Sequence, residues 1–173
     1  MSQIQLNRIT NANIYMDGNS LLGRAEEIKL PEISAMMTEH KALGMIGKIE
    51  LPSGFDKMDG DLKWNSFYGD VWAKVANPFA TVQLQCRSNV ETYGSQGRVQ
   101  QQALVTFLTV AFKKNPLGTF KQHDNAEFTS AFACYYIRQQ LNGVDIVEFD
   151  AMANIYKVGG VDQLDIYRTN LGG

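Results

Sequence analysis

The chain has 173 residues, 45% of them apolar and 20% charged. A domain of this length buries about 70% of the surface its unfolded chain exposes, which excludes wholesale disorder and any need for disulfide or metal staples. Sixteen Lys plus Arg against 18 Asp plus Glu give a net charge of −2, which argues against a main task of gripping nucleic acid, because phosphate neutralisation needs a cationic surplus.

The start of the chain, MSQIQLNRIT, has no cationic head followed by an apolar run, so no secretory leader is expected. Asn13 to Met16 reads as a short strand. Asp17-Gly18 follows as a hairpin turn, since both residue types tolerate positive φ. Ser20 to Leu30 reads as a longer strand stopped by Pro31. Pro31 to Gly47 carries Met36, Met37, His40, Leu43, Met45 and Ile46 without a clean period, and reads as an irregular surface loop that expects a partner. Lys48 to Leu51 and Met58 to Ser66 are expected to be strands around a Pro52-Ser53-Gly54 turn, with Met58, Leu62 and Trp64 on one face. Phe67, Val71 and Val75 recur every four residues and predict a helix over 67–76, capped by Ser66 or Asp70 and stopped by Asn77-Pro78.

Ala80 to Glu91 alternates, with Val82, Leu84, Cys86 and Val90 opposite Gln83, Gln85, Arg87, Asn89 and Glu91. Tyr93 to Gly97 reads as a loop. Gln102 to Phe112 and Phe128 to Leu141 are strands apolar on both faces. That pattern implies either a deep sandwich core or a face covered by another subunit. Asn142-Gly143 is a second hairpin turn. Val144 to Val158 is read as one strand with Val147, Phe149, Ala151, Ala153 and Ile155 on one face and Glu148, Asp150 and Asn154 on the other. Gly159-Gly160 ends it, and Val161 to Asn170 fits a short helix. No repeat or linker divides the chain, so residues 1–173 read as one mainly β domain, an antiparallel sandwich or barrel.

The residues that do chemistry are sparse. Cys86 and Cys134 lie in apolar stretches without a CxxC spacing and read as reduced core thiols in a reducing compartment. His40 and His123 lack further ligands at metal spacing. Gly44 to Lys48 is too short for a phosphate loop, and Ile49 stands where Ser or Thr would hold magnesium. Glu148 and Asp150 share a strand face as acid–base pairs do, but a solvated stripe explains them as well. The longest near-apolar stretch, 103–112, is too short to cross a membrane, which takes about 18 residues. No cofactor, metal or enzymatic activity is expected.

Two segments together resemble the major tail tube protein of contractile-tailed bacteriophages, a family that includes the tubes of phage-tail-like bacteriocins. One is NANIYMDGNSLLGRAEEIKLPEISAMMTEHKALGMIGKIEL, with its D-G turn, K-L-P stop and Met-bearing loop. The other is YYIRQQLNGVDIVEFDAMANIYKVGGVDQLDIYRTNLG, with its N-G turn, acidic strand and N-L-G ending. They cover about half the chain. The resemblance implies a β-sandwich with one short helix and a protruding loop, closing into hexameric rings with a continuous β-barrel lumen. Rings would stack through Met36, Met37, His40, Leu43, Met45 and Ile46. Glu148, Asp150, Gln83, Gln85 and Asn89 would line a bore through which DNA passes without specific binding. Implied partners are other copies of the chain, a sheath protein, a tape-measure protein and the baseplate, in a virion tail assembled in the bacterial host cytoplasm. Tubes of secretion systems and bacteriocin particles are similar, and a monomeric β-barrel binding a small ligand is the reading from another class.

Overall fold

The structure is a computed structural model that describes residues 4–173; the first three residues of the stretch read for a leader lie outside the described part. Strand β1 (Leu6–Arg8) is followed by β2 (Ala12–Met16) and β3 (Asn19–Ser20), joined by the expected turn. Asp17 and Gly18 both have positive φ, 48° and 83°. The strand read over 20–30 breaks into two, because Leu21 turns into the core and residues 21–24 form a tight turn before β4 (Ala25–Lys29).

The segment read as an irregular loop is a hairpin. Strand β5 (Ala35–His40) pairs with β6 (Ile49–Phe55), from Ala35↔Phe55 to His40↔Ile49. All six β5 residues are exposed, so no buried face imposes the period-two pattern that would announce a strand. Pro52-Ser53-Gly54 is not a turn. It lies within β6, where a register shift opposite Met36/Met37 and a Gly54 φ of 143° mark a bulge.

Strand β7 (Met58–Trp64) buries Met58, Gly60, Leu62 and Trp64 in strict alternation. The helix α1 (Gly69–Val75) buries Val71, Trp72 and Val75. Its N-cap is Tyr68 without a side-chain cap; Asp70 instead accepts from Arg24 at 2.8 Å. Three long strands follow, β8 (Val82–Gly94), β9 (Gly97–Phe112) and β10 (Phe128–Leu141). They lead to β11 (Val144–Asp150), β12 (Ile155–Val158), β13 (Val161–Asp162) and a second short helix, α2 (Asp165–Asn170). The predicted strand over 144–158 is therefore a hairpin. Asp150 Oδ1 accepts from the N–H groups of Met152 and Ala153, both at 3.0 Å, which turns the chain and leaves Ala151 and Ala153 exposed.

The strands form one antiparallel eleven-stranded sheet, and β5–β6 stands apart from it. Strand β10 is its hub. One edge carries β9; the other carries β7 along Phe128–Cys134 and β11 along Tyr136–Leu141. The core collects Met16, Leu62, Trp64, Leu84, Val110, Phe112, Phe132 and the apolar side of α1. The two-faced apolar stretches are buried by the chain itself at Val110–Phe112 and Ser130–Phe132. Trp64 Nε1 donates to Ser130 Oγ at 2.9 Å, so the one polar atom of that indole is satisfied inside the core.

Backbone and ring pack closely at Gly60, where an added Cβ would meet Phe132 Cζ at 2.5 Å and the Lys29 carbonyl oxygen at 2.6 Å. Gly60→Ala should cost about 1–3 kcal/mol or more in denaturant melts. Gly69→Ala, where nothing lies within 4 Å, should change stability by less than about 1 kcal/mol. Burial raises the Cys86 thiol and pushes Cys134 up to about 12. Neither thiol should react with Ellman's reagent at pH 8 until the protein is unfolded.

Candidate assembly surfaces

Strand register decides which polar residues share a face. In β8–β9, Gln83 lies opposite Thr109, Gln85 opposite Phe107 and Asn89 opposite Ala103. Across β9–β10, Thr109 lies opposite Tyr136 and Phe107 opposite Arg138. Across β10–β11, Tyr136 lies opposite Asp150 and Arg138 opposite Glu148, which in turn faces Lys157 of β12. Directly opposed residues share a face. All five residues read as lumen-facing therefore lie on one face of one sheet, although they come from strands far apart in sequence. One row runs Tyr15, Gln85, Phe107, Arg138, Glu148, Lys157, six strands wide and so about 24 Å across.

The face is a connected polar surface. Thr109 Oγ1 donates to Gln83 Oε1 at 3.0 Å, Tyr136 OH to Glu148 Oε1 at 2.9 Å and Gln140 Nε2 to Asp145 Oδ1 at 2.6 Å. Partial burial, with the adjoining Glu148 carboxylate, pushes the Tyr136 hydroxyl up to about 12. Tyr136 therefore stays a donor at physiological pH. Arg138 lies over the Phe107 ring at 4.8 Å, and Lys157 comes within 3.7 Å of Glu148.

Two features of this face lie outside the single-strand reading. Asp145, Glu148 and Asp150 are interleaved on it with Arg87, Arg138 and Lys157, and Glu91 and Asp162 at its margins lie opposite Arg8 and Lys157, so it is not a purely anionic wall within one chain. Asp150 is also committed to the β11–β12 turn. Arg138 and Phe107 escaped notice because each sits inside a run read as core; a lone cation in an apolar strand was the available signal.

The second surface is the β5–β6 hairpin. Met36, Met37, His40, Leu43, Met45 and Ile46 are all exposed, and Leu43 and Ile46 at the tip are as exposed as in an extended chain. Ile49 and Leu51 on β6 extend this apolar surface. Glu39 and Glu50 lie directly opposite each other, with Lys48 3.0 Å from Glu39. A two-stranded sheet by itself is marginal in water; here Phe55 anchors the base of the hairpin on Phe149 and Tyr156, and the apolar residues farther out are exposed.

Other chemistry is not assembled. Among the described residues no group of three His, Cys, Asp or Glu could hold a metal ion. His40 and His123 are exposed and far apart in sequence, and Glu148 is held by Tyr136. No helix of the described residues is long and apolar enough to cross a membrane. The sheet is open, and Trp64, Phe112 and Phe132 fill the interior where a ligand-binding barrel would keep its cavity.

The tail tube protein of Escherichia phage P2 is 24% identical over 166 residues, covering 92% of this chain and 94% of that one. A chain in the sheath–tube complex of an extracellular contractile injection system, PVC, in its extended state shares the fold with a TM-score of 0.56 at 10% identity. That match covers 75% of this chain and 87% of the other.

A lysine placed in the balanced face tests its role without touching the turn. Glu148→Lys should still fold but lose about 1–3 kcal/mol, because the Glu148 side chain is only 19% exposed and accepts from Tyr136, and the change would place a third cation beside Arg138 and Lys157. It should also bring the Tyr136 hydroxyl down from about 12, read by ultraviolet titration, since the carboxylate that favours its neutral form is gone. Residues 6–172 match the family of phage tail tube protein FII, and the chain belongs to that family of structural tail tube proteins.

Proposed function

We propose that this chain forms six-fold rings that stack into the inner tube of a contractile phage tail. The observation that carries the reading is the projecting hairpin, whose Met37, Leu43, Ile46, Ile49 and Leu51 stay exposed although its base packs through Phe55. A neighbouring ring supplies their cover. Each Leu or Ile removed from water there is worth about 1.5–3 kcal/mol, against the side-chain entropy lost on ordering. Six open sheets joined edge to edge would form a barrel without free edges, which removes the liability of an exposed β-edge.

In this arrangement the wet face of β8–β11 lines the bore, with Gln83, Gln85, Asn89, Glu148 and Asp150 among its residues. Charges paired within that face leave no cationic surplus, so a passing duplex finds no counterion-releasing contacts to hold it. A sheath protein surrounds the tube, as the complex that contains the structural relative supports, and the tape-measure protein and baseplate meet it inside and at its end. The virion tail is the site of function, and assembly takes place in the host cytoplasm.

Electron microscopy of concentrated purified protein should show rings about one subunit thick, or tubes built from them. Met37→Ser with Leu43→Ser should leave a folded monomer, judged by circular dichroism, and abolish tubes. A native chain that stays monomeric at every concentration and salt would overturn the reading. Tubes of the Glu148→Lys variant should retain DNA in a filter assay at low salt, where native tubes let it pass; equal retention would remove the wet face from the bore.

A further inference from the structure

At the base of the hairpin lies a groove of about 700 Å³ between the start of β5, the end of β6 and the C-terminal elements. Phe55, Phe149, Tyr156, Leu164 and Tyr167 line it. The first three of these form one aromatic cluster, with Phe55 5.0 Å from Phe149 and 4.7 Å from Tyr156, ring centre to ring centre. The cluster holds the groove's floor rigid, because aromatic pairs at this spacing add about 0.5–1.5 kcal/mol beyond their burial. Tyr167 is more than half exposed on its rim.

The far end of the same hairpin has the complementary character. Leu43 and Ile46 project from it, fully exposed among the described residues, between Lys41 and Lys48. The tip cannot enter its own groove. Ala35 lines the groove, and the tip begins after His40, six residues along a paired strand and so about 20 Å away. The ladder from Ala35↔Phe55 to His40↔Ile49 prevents the hairpin from folding back. Charge points the same way. Asp150, Asp162 and Asp165 stand in or beside the groove, the last two bridged by Arg168 and Asp162 also opposite Lys157, whereas the tip carries Lys41, and Lys48 held by Glu39.

We infer that the groove beneath the hairpin receives Leu43 and Ile46 from the hairpin tip of a second copy of this chain. Plug and socket lie at opposite ends of one element, so each copy both gives and receives. Such a head-to-tail contact leaves a free plug at one end of an assembly and a free socket at the other, which suits growth in one direction. This deepens the stacking reading and rests on it, since it names the receptor for the hairpin.

Single-cysteine partners test it. Chains carrying Ile46→Cys are mixed with chains carrying Gln163→Cys, assembled, and treated with a short bismaleimide; the buried native thiols Cys86 and Cys134 do not compete. Both positions are exposed, so neither change threatens the fold. Leu43→Cys serves as a second tip position. The expected product is a cross-linked pair of one chain of each kind, formed in tubes and absent from either variant alone. Tubes of native shape that yield no mixed pair from either tip position would overturn the groove as receptor and leave stacking intact. Absence of rings and tubes from the unmodified chain would overturn stacking and the groove together.

Discussion

The handover along one edge of β10 shapes everything else in this molecule. Its first half pairs with β7, and both strands are sealed into the core around Trp64, Ser130 and Phe132. Where its pairing with β9 shifts register, between Cys134 and Tyr136, its other edge passes from β7 to β11. From that point the strand no longer has protein on both sides. Tyr136, Arg138 and Gln140 turn to a wet face while Ile137 continues the core. The shift lets one strand serve a closed core and an open sheet, as β-bulges commonly do where a sheet changes role.

The wet face and the hairpin differ in how they meet water. The face satisfies most of its own polar groups: carboxylates and cations are interleaved, and Thr109, Tyr136 and Gln140 bond to Gln83, Glu148 and Asp145, while Arg138 Nε is buried without a hydrogen-bond partner among the described residues. Such a surface has little to gain from a partner. The hairpin is the reverse, with apolar tips and two facing glutamates that repel across the strands. Association free energy is thus concentrated in one projecting element, and the surface proposed for the bore is left inert.

How much of this was legible in the sequence follows from where burial imposes a period. Strands β7 and β8 have one buried face, and their alternation named Met58, Leu62, Trp64, Val82, Leu84 and Cys86 as core in advance. The Asp17-Gly18 and Asn142-Gly143 turns announce themselves through residues that accept positive φ. Hairpin β5–β6 was read as a loop because both its faces are wet, and no periodic signal survives without burial. The strand over 144–158 was read through its own turn because Ala151 and Ala153 kept the apolar alternation going; the side chain of Asp150, which makes that turn, is a tertiary detail. Gln83, Gln85, Asn89, Glu148 and Asp150, the residues proposed for the bore, share one face because period two holds strand by strand. Its charge balance was invisible, because Arg138 and Lys157 enter through pairings that only the register supplies.

That balance bears on what a conduit requires. In the proposed six-fold ring a strongly anionic bore would repel DNA but also itself, since each added ring would bring six more copies of every carboxylate into a narrow channel. Placing Arg138 and Lys157 beside Glu148 removes much of that self-repulsion at short range. The cations do not thereby become phosphate clamps. Arg138 is spread over the Phe107 ring and Lys157 leans on a carboxylate, so a passing phosphate would have to displace an existing partner to gain a contact. A face of mutually occupied charges is accordingly wet, compatible with close stacking, and weakly attractive to nucleic acid. Neutral Gln and Thr side chains alone would give the last property, but without the cross-strand pairs that help hold six strands in register.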